Sequence, residues 1–394
     1  MKNIIKMSLL LCGLALTTAC SDDNGSNPTL QYPTQFVLNE PAMATQTIDP
    51  VHSPNLMLYC SQPDYGFPTH TIYSVQMALA EDKSDIIDLK GTYDQAKIEM
   101  KAINLAYKIT EIMMERGMTE EDFPIDIPVY LRVRAYAASS AGKMIDGTEI
   151  FSNWITLKNV HALWALAPVE TPEAMYVAGS FNGNDWGTAL KMVQVYDAAH
   201  IFWHLVYIDK SGIKFNIEQK ESDNIIGYEQ LGKIEGEKGE DIINSEGFIA
   251  SKNPGWYLAI ITTTVENREI IYDVQFNEPN VWMIGPITPK ADWSELEEGC
   301  LFEVPDDPNG EFISPKFAHA APGGDQDGVR AYVKIPGYEW WKSEFMVYDE
   351  KIEYRGMGPD QNDADNGFGY RVAGKKGDRM FFNFTAETGR IGKK

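Results

Sequence analysis

An alternating apolar run that ends in glycine, a turn and an Asp–Trp pair occurs twice in this chain. MYVAGSFNGNDWG occupies Met175 to Gly187 and VWMIGPITPKADW occupies Val281 to Trp293, so Asp185–Trp186 and Asp292–Trp293 stand 107 positions apart. The segments also close alike: GWYLAIITTTVENREIIYDV resembles GDRMFFNFTAETGRI near the C-terminus. Apolar residues at every second position are the period of a half-buried strand, and Gly, Asn and Asp clusters between such runs mark turns. A repeat of this length, with no alternation of strand and helix, predicts two successive β-sandwiches and argues against a doubly wound or α/β-barrel fold.

The part of the chain before the repeat has its own pattern. LMLYCSQP, HTIYSVQMALA, IPVYLRVRAYAAS and FSNWITLKNV read as strands, with Leu131, Val133 and Ala135 alternating against Arg132, Arg134 and Tyr136. One stretch breaks the period. Ile98, Ile103, Leu105, Ile109, Ile112 and Met113 recur at helical spacing, and Gly117 follows as a stop. The expected unit is an immunoglobulin- or fibronectin III-like sandwich with one inserted helix. ALAPVETPEA, rich in proline and small residues, is the expected linker to the repeat.

At the N-terminus, Lys2 and Lys6 precede an apolar stretch from Met7 to Leu16, and small residues lead into Cys20. This is the plan of a signal peptide, too short to cross a bilayer as a mature helix. A cysteine just past such a stretch predicts lipidation at Cys20. The following SDDNGSNP has no apolar anchor and reads as a flexible tether. Removal of the leader leaves Cys20, Cys60 and Cys300, with neither a disulfide framework nor zinc spacing. The net charge of −23 argues against a nucleic-acid partner, which needs a basic stripe, and costs nothing against a neutral ligand.

Patterns for catalysis and cofactors are lacking: no G-x-S-x-G elbow, no P-loop and no dinucleotide fingerprint. With 57 acidic residues, a carboxylate pair is available anywhere and specifies nothing. The acidic loops PGGDQDG and GPDQNDADNG do not space oxygen ligands as a calcium loop does. His200 and His204 have a helical zinc spacing but lie on a strand-like run. No metal site and no cofactor are expected.

Aromatic residues, 11% of the chain, exceed what cores usually need. A flat ring face can stack on the axial C–H side of a pyranose, with Lys, Asn or Asp meeting the hydroxyls. In YEWWKSEFMV, strand parity puts Trp341 with core positions Phe345 and Val347, and puts Trp340, Lys342 and Glu344 outward. In GIKFNIEQ it puts Lys214, Asn216 and Glu218 outward. Trp256 opens a strand at an expected sandwich edge, the parity of Trp203 is ambiguous, and Trp186 and Trp293 close the repeated turn. The candidate carbohydrate-binding residues are thus Trp186, Lys214, Trp256, Trp293, Trp340 and Lys342.

These segments resemble a known family. FVLNEPAMATQTID, LMLYCSQPDYG, IYSVQMAL, LRVRAYA and SNWITLKNV are similar to the first domain of SusE/SusF-type outer-membrane lipoproteins. YVAGSFNGNDWG resembles the opening of starch- and glycogen-binding modules, and YEWWKSEFMV with KIEYRG resembles a C-terminal module of relatives. The resemblance implies three tandem β-sandwiches: a leader over 1–19, a tether over 20–34, an Ig-like domain over 35–162, and carbohydrate-binding-like sandwiches over 170–277 and 278–394. It implies a non-catalytic surface lipoprotein that binds polysaccharide or oligosaccharide beside a TonB-dependent transporter and companion glycan-binding lipoproteins. Asp22–Asp23 behind the cysteine are similar to the export signals of lipoproteins that face the cell exterior. The acidic loops of the last domain depart from starch-binding members. The rival readings are a structural accessory lipoprotein with degenerate sugar sites and a sandwich-fold glycan-degrading enzyme.

Overall fold

The computed structural model describes residues 29–323, 327–357 and 372–393. The leader, Cys20, most of the tether, the middle of PGGDQDG and all of GPDQNDADNG lie outside these residues. The chain divides into two compact units, Met1–Pro168 and Val169–Lys394.

In the first unit, one sheet runs in the order Thr47–Ile48, Ile155–Ala162, Ile125–Ala137, Thr71–Ala78, Ile87–Tyr93, with Ile150–Phe151 added beside Ile125–Ala137. A two-stranded sheet of Asn55–Tyr59 and Lys97–Lys101 faces it, and Leu56, Leu58, Ile98 and Met100 meet Val75, Met77, Val129 and Leu131 in one core. The expected helix is present at Ile103–Glu115 and buries Leu105, Ala106, Ile109, Ile112 and Met113. Gly117, at φ 85°, ends it in the left-handed region that a side chain disfavours. Ile98, which shares the helical spacing, belongs to the preceding strand. Cys60 is partly buried; its thiol donates to the Ala96 carbonyl (3.3 Å), and burial pushes its pKa up to about 11.

The second unit is layered. An outer five-stranded sheet (Leu190–Lys191, Tyr176–Gly179, Ile213–Asn216, Phe248–Ser251, Ile242–Ser245) packs on a second five-stranded sheet (Val193–Gln194, Ile201–Ile208, Gly255–Glu266, Glu269–Asn277, Leu231–Glu235). Val177, Phe202, Val206, Phe215, Tyr257, Ile261 and Phe276 fill the space between them. The second sheet is covered on its other face as well. Trp203, Leu205, Trp256, Leu258 and Ile260 join Val281, Met283, Phe312, Phe345, Phe382 and Phe384 of the C-terminal module in one core. This explains why IFWHLVYI is apolar without alternation: its strand is buried on both sides.

The C-terminal module is a seven-stranded sheet in the order Val281–Ile284, Arg330–Val333, Glu344–Tyr348, Lys351–Tyr354, Thr388–Gly392, Arg379–Asn383, Phe312–Ile313. Bridges Trp282↔Leu301 and Glu303↔Ile313 carry the pairing from its last strand back to its first, so neither edge is left open. Tight turns in the middle and C-terminal modules, Asn267–Arg268 and Asp349–Glu350, place both residues at positive φ, as two-residue hairpins require. The described residues are all-β apart from one helix and 3-10 turns. The two sandwiches of the repeat share a hydrophobic core.

Candidate functional site

The second Asp–Trp pair leads to the site. The Asp292 carboxylate accepts the Ser294 amide (2.9 Å), a local turn that fixes the chain on either side of Trp293. The Trp293 benzo ring lies against Gly285, where an added Cβ would come within 2.6 Å of it, and Gly285 itself sits at φ 89°. Trp293 stacks in parallel on Trp340, with centroids 5.2 Å apart and planes 7° apart. Trp293 is 37% exposed and Trp340 half-buried, so part of the stacked pair is open to solvent.

Polar groups hold this pair in place. The Trp340 amide donates to Glu295 Oε1 (3.0 Å), whose other oxygen is bonded by Lys334 Nζ. Lys334 also donates to the Tyr338 carbonyl (2.8 Å). Tyr332 meets Trp340 edge-on at 6.3 Å, and its hydroxyl accepts the Leu296 amide (2.7 Å); burial pushes that phenol up to about 12. The Arg330 guanidinium lies 5.2 Å from the Trp293 ring centroid and donates to Glu344 Oε2 (2.8 Å). The other Glu344 oxygen takes Arg355. The result is a partly exposed indole stack held among hydrogen-bonding and charged groups.

The sequence reading of this segment needs two corrections, and both have one cause. Trp340–Ser343 is a 3-10 turn, so strand parity begins only at Glu344. Trp341 is therefore half-buried rather than core, and Glu344, expected outward, is fully buried between two arginines. Lys342 does not stand beside Trp340 on an open face. Its side chain is 17% exposed, lies 4.4 Å from the Trp341 ring centroid, and pairs with Asp197 of the middle module (3.3 Å).

The middle module places its candidates differently. Asp185 accepts the Gly187 amide (2.9 Å) and opens the 3-10 turn Trp186–Thr188, leaving Trp186 half-buried and stacked on no other ring among the described residues. Lys214 is on the outer sheet face, its ammonium 4.2 Å from the Phe248 ring centroid. Asn216, expected outward beside it, is fully buried, bonding the Lys220 carbonyl (2.8 Å) and accepting from Ser222 (3.1 Å). Trp256 is a further correction. It is 3% exposed, edge-on to Phe312 (5.0 Å) and Tyr207 (5.9 Å), and donates to the Asp307 carbonyl (3.2 Å). The C-terminal module covers the sheet edge on which Trp256 was expected to be exposed.

Of the candidates, the structure brings together Trp293 and Trp340. It adds Arg330, Tyr332, Lys334 and Glu295, which the sequence reading missed. GVRAYV did carry a signal: an arginine that enters a wholly buried strand needs a fixed partner.

Stacked sandwiches with a partly exposed tryptophan pair among hydrogen-bonding groups are compatible with a carbohydrate-binding-module class of protein. Comparison with known proteins gives the family. The chain belongs to the SusF/SusE family: the family model described as SusF/SusE starch specific CBMs matches residues 174–271 and 280–390, and the SusE outer membrane protein model matches residues 22–133. It is an outer-membrane protein. Outer membrane protein SusF of Bacteroides thetaiotaomicron is 27% identical over 280 residues, which are 64% of this chain and 53% of that protein. The chain thus spans about half the length of this curated relative. The crystal structure of SusF from Bacteroides thetaiotaomicron aligns with 91% of this chain and 100% of that one, at 18% identity and a TM-score of 0.46.

Proposed function

We propose that this chain is a non-catalytic, lipid-anchored outer-membrane protein that binds starch-like polysaccharide and retains it at the cell exterior. The parallel Trp293–Trp340 pair carries this reading. A pyranose presents an apolar face of axial C–H bonds, and an exposed indole already held in place meets it without losing side-chain freedom on binding. The family's starch-specific modules support an α-glucan as the ligand. Lys334 and Glu295, both partly exposed beside the rings, are groups that can bond hydroxyls. Trp186 and Lys214 supply a second, weaker contact region in the middle module, and two contact regions on one chain raise the local concentration of a long ligand. Cys20 carries the lipid, and the glycan is held near a TonB-dependent transporter and companion glycan-binding lipoproteins.

Affinity electrophoresis through gels containing glycogen, xylan, mannan or a β-glucan tests the ligand. The α-glucan gel is expected to retard the protein, and Trp293→Ala with Trp340→Ala to weaken retention at least about tenfold, the equivalent of one or two lost stacking contacts. Undiminished retention of that variant, with its circular dichroism intact, sinks the reading. One observation favours the structural accessory role instead: Trp256 and Lys342, two of the sugar candidates, are spent on packing the modules together. Under that role, no glycan gel retards the protein, while its removal from membranes lowers recovery of a transporter complex.

A further inference from the structure

The strand Arg330–Val333 sends Ala331 and Val333 into the core, so Arg330 and Tyr332, continued by Lys334, share the opposite face. All three of these residues reach the tryptophan pair. The Arg330 guanidinium lies 5.2 Å from the Trp293 centroid, Tyr332 meets Trp340 edge-on, and Lys334 bonds the Glu295 carboxylate that takes the Trp340 amide. Trp293 needs such support, because it sits on a long connection with no regular strand between Ile284 and Phe312. Beyond its local turn, it is placed by Gly285, Trp340 and Arg330.

Arg330 is a charge only 7% exposed, so it requires a fixed counter-charge. Glu344 supplies it from the adjacent strand, where it stands directly opposite Tyr332 and is fully buried. One Glu344 oxygen accepts from Arg330 (2.8 Å) and the other from Arg355, whose amide is tied in turn to the Glu344 carbonyl (3.0 Å). The second guanidinium serves a different ring, lying 4.8 Å from the Trp341 centroid. Trp340 and Trp341 are neighbours on one 3-10 turn, so a single carboxylate stands behind the aromatic contacts on both sides of it. A buried ion cluster adds little stability over apolar residues of the same volume, since desolvation offsets the attraction. What it adds here is placement, because the two carboxylate oxygens set two planar guanidinium groups against two separate indoles.

We infer that Glu344 and Arg330 are positioning residues of the tryptophan pair: Glu344 holds the Arg330 guanidinium against Trp293, and that contact keeps Trp293 stacked on Trp340. Both are too buried to meet a ligand themselves. The consequence for glycan binding rests on the reading proposed above; the consequence for the stack does not.

The test compares Arg330→Met with Arg355→Met in the detergent-solubilised full chain. Each removes one guanidinium and leaves Glu344 paired with the other, so a general effect of breaking the buried cluster falls on both. Arg330→Met is expected to lose most of the coupled-indole signal in near-ultraviolet circular dichroism. It is also expected to weaken retention in a glycogen gel at least about threefold, the scale of a lost cation–π contact. Arg355→Met is expected to keep most of both. Should a thermal melt show either variant unfolded, Arg330→Lys and Arg355→Lys are compared in the same way. Equal losses in the two variants, or an unaltered signal in the Arg330 variant, overturn the inference. Loss of the signal with undiminished retention upholds the positioning of Trp293 and refutes the pair as the glycan contact.

Discussion

The two Asp–Trp turns begin from the same local chemistry and deliver their tryptophans to different environments. Asp185 and Asp292 each accept the amide two residues on, at 2.9 Å, and so set the same bend. After Asp185, Trp186 enters a 3-10 turn without a ring partner among the described residues. After Asp292, Trp293 is pressed on a left-handed glycine and stacked on Trp340, 47 residues further on. A local motif thus fixes where a side chain starts. Whether it becomes a platform depends on a partner that the motif does not contain.

That contrast can be broken or sharpened by substitution. The largest effect is expected at Trp256, which the comparison assigns to packing alone: Trp256→Ala should cost about 3–5 kcal/mol, as emptied aromatic core positions do. A thermal melt would show it, and an unchanged melting temperature would return Trp256 to the surface. Next comes Gly285→Ala, which combines a disfavoured φ with a clash on Trp293 and should cost about 1–3 kcal/mol. The same variant should abolish the coupled-indole signal of the Trp293–Trp340 stack in near-ultraviolet circular dichroism. Gly187→Ala, at the matching turn of the middle module, is expected to stay within about 0.5 kcal/mol, because its amide is kept and its nearest neighbour is the flexible Asp185 carboxylate.

Trp186→Ala should reduce glycan retention by less than Trp293→Ala does, since it removes one ring rather than half of a pair. An equal loss in the two variants would mean that stacking on Trp340 adds nothing. The smallest effect concerns acid. The Ser294 amide holds the Asp292 carboxyl below its ordinary value of 3.8. A depressed carboxylate stabilises the folded chain above its unfolded value, and that stabilisation fades as pH falls through the lower folded value. Asp292→Asn should therefore flatten the acid limb of a stability–pH profile below about pH 4 and leave neutral pH unchanged.

Much of the fold was legible because periodicity reports which faces are buried. The helix at Ile103–Glu115, the strands of the first unit and the repeated module openings are all carried by spacing alone. The platform was half legible. Trp293 and Trp340 are recognisable as candidates one at a time, whereas their pairing is a long-range contact that no local pattern encodes. The reading failed where backbone geometry changes within a few residues. At Trp340–Ser343 a 3-10 turn replaces a strand and resets parity for Trp341, Lys342 and Glu344. It failed again at Trp256, since no residue near Trp256 records that another module will cover it. Asn216 differs from both, because a short polar side chain can be buried once the neighbouring loop supplies its partners.

The core shared by the middle and C-terminal modules also bears on how far the chain can be divided. The two are joined in sequence only through Glu278–Pro279–Asn280, but in space through Trp203, Trp256 and Phe345. A peptide-bond break at that connector leaves the attachment in place, because the attachment is not covalent. Neither half has a solvent-ready surface at the joint, so each is the natural complement of the other, and separately made fragments should reassemble as a heterodimer.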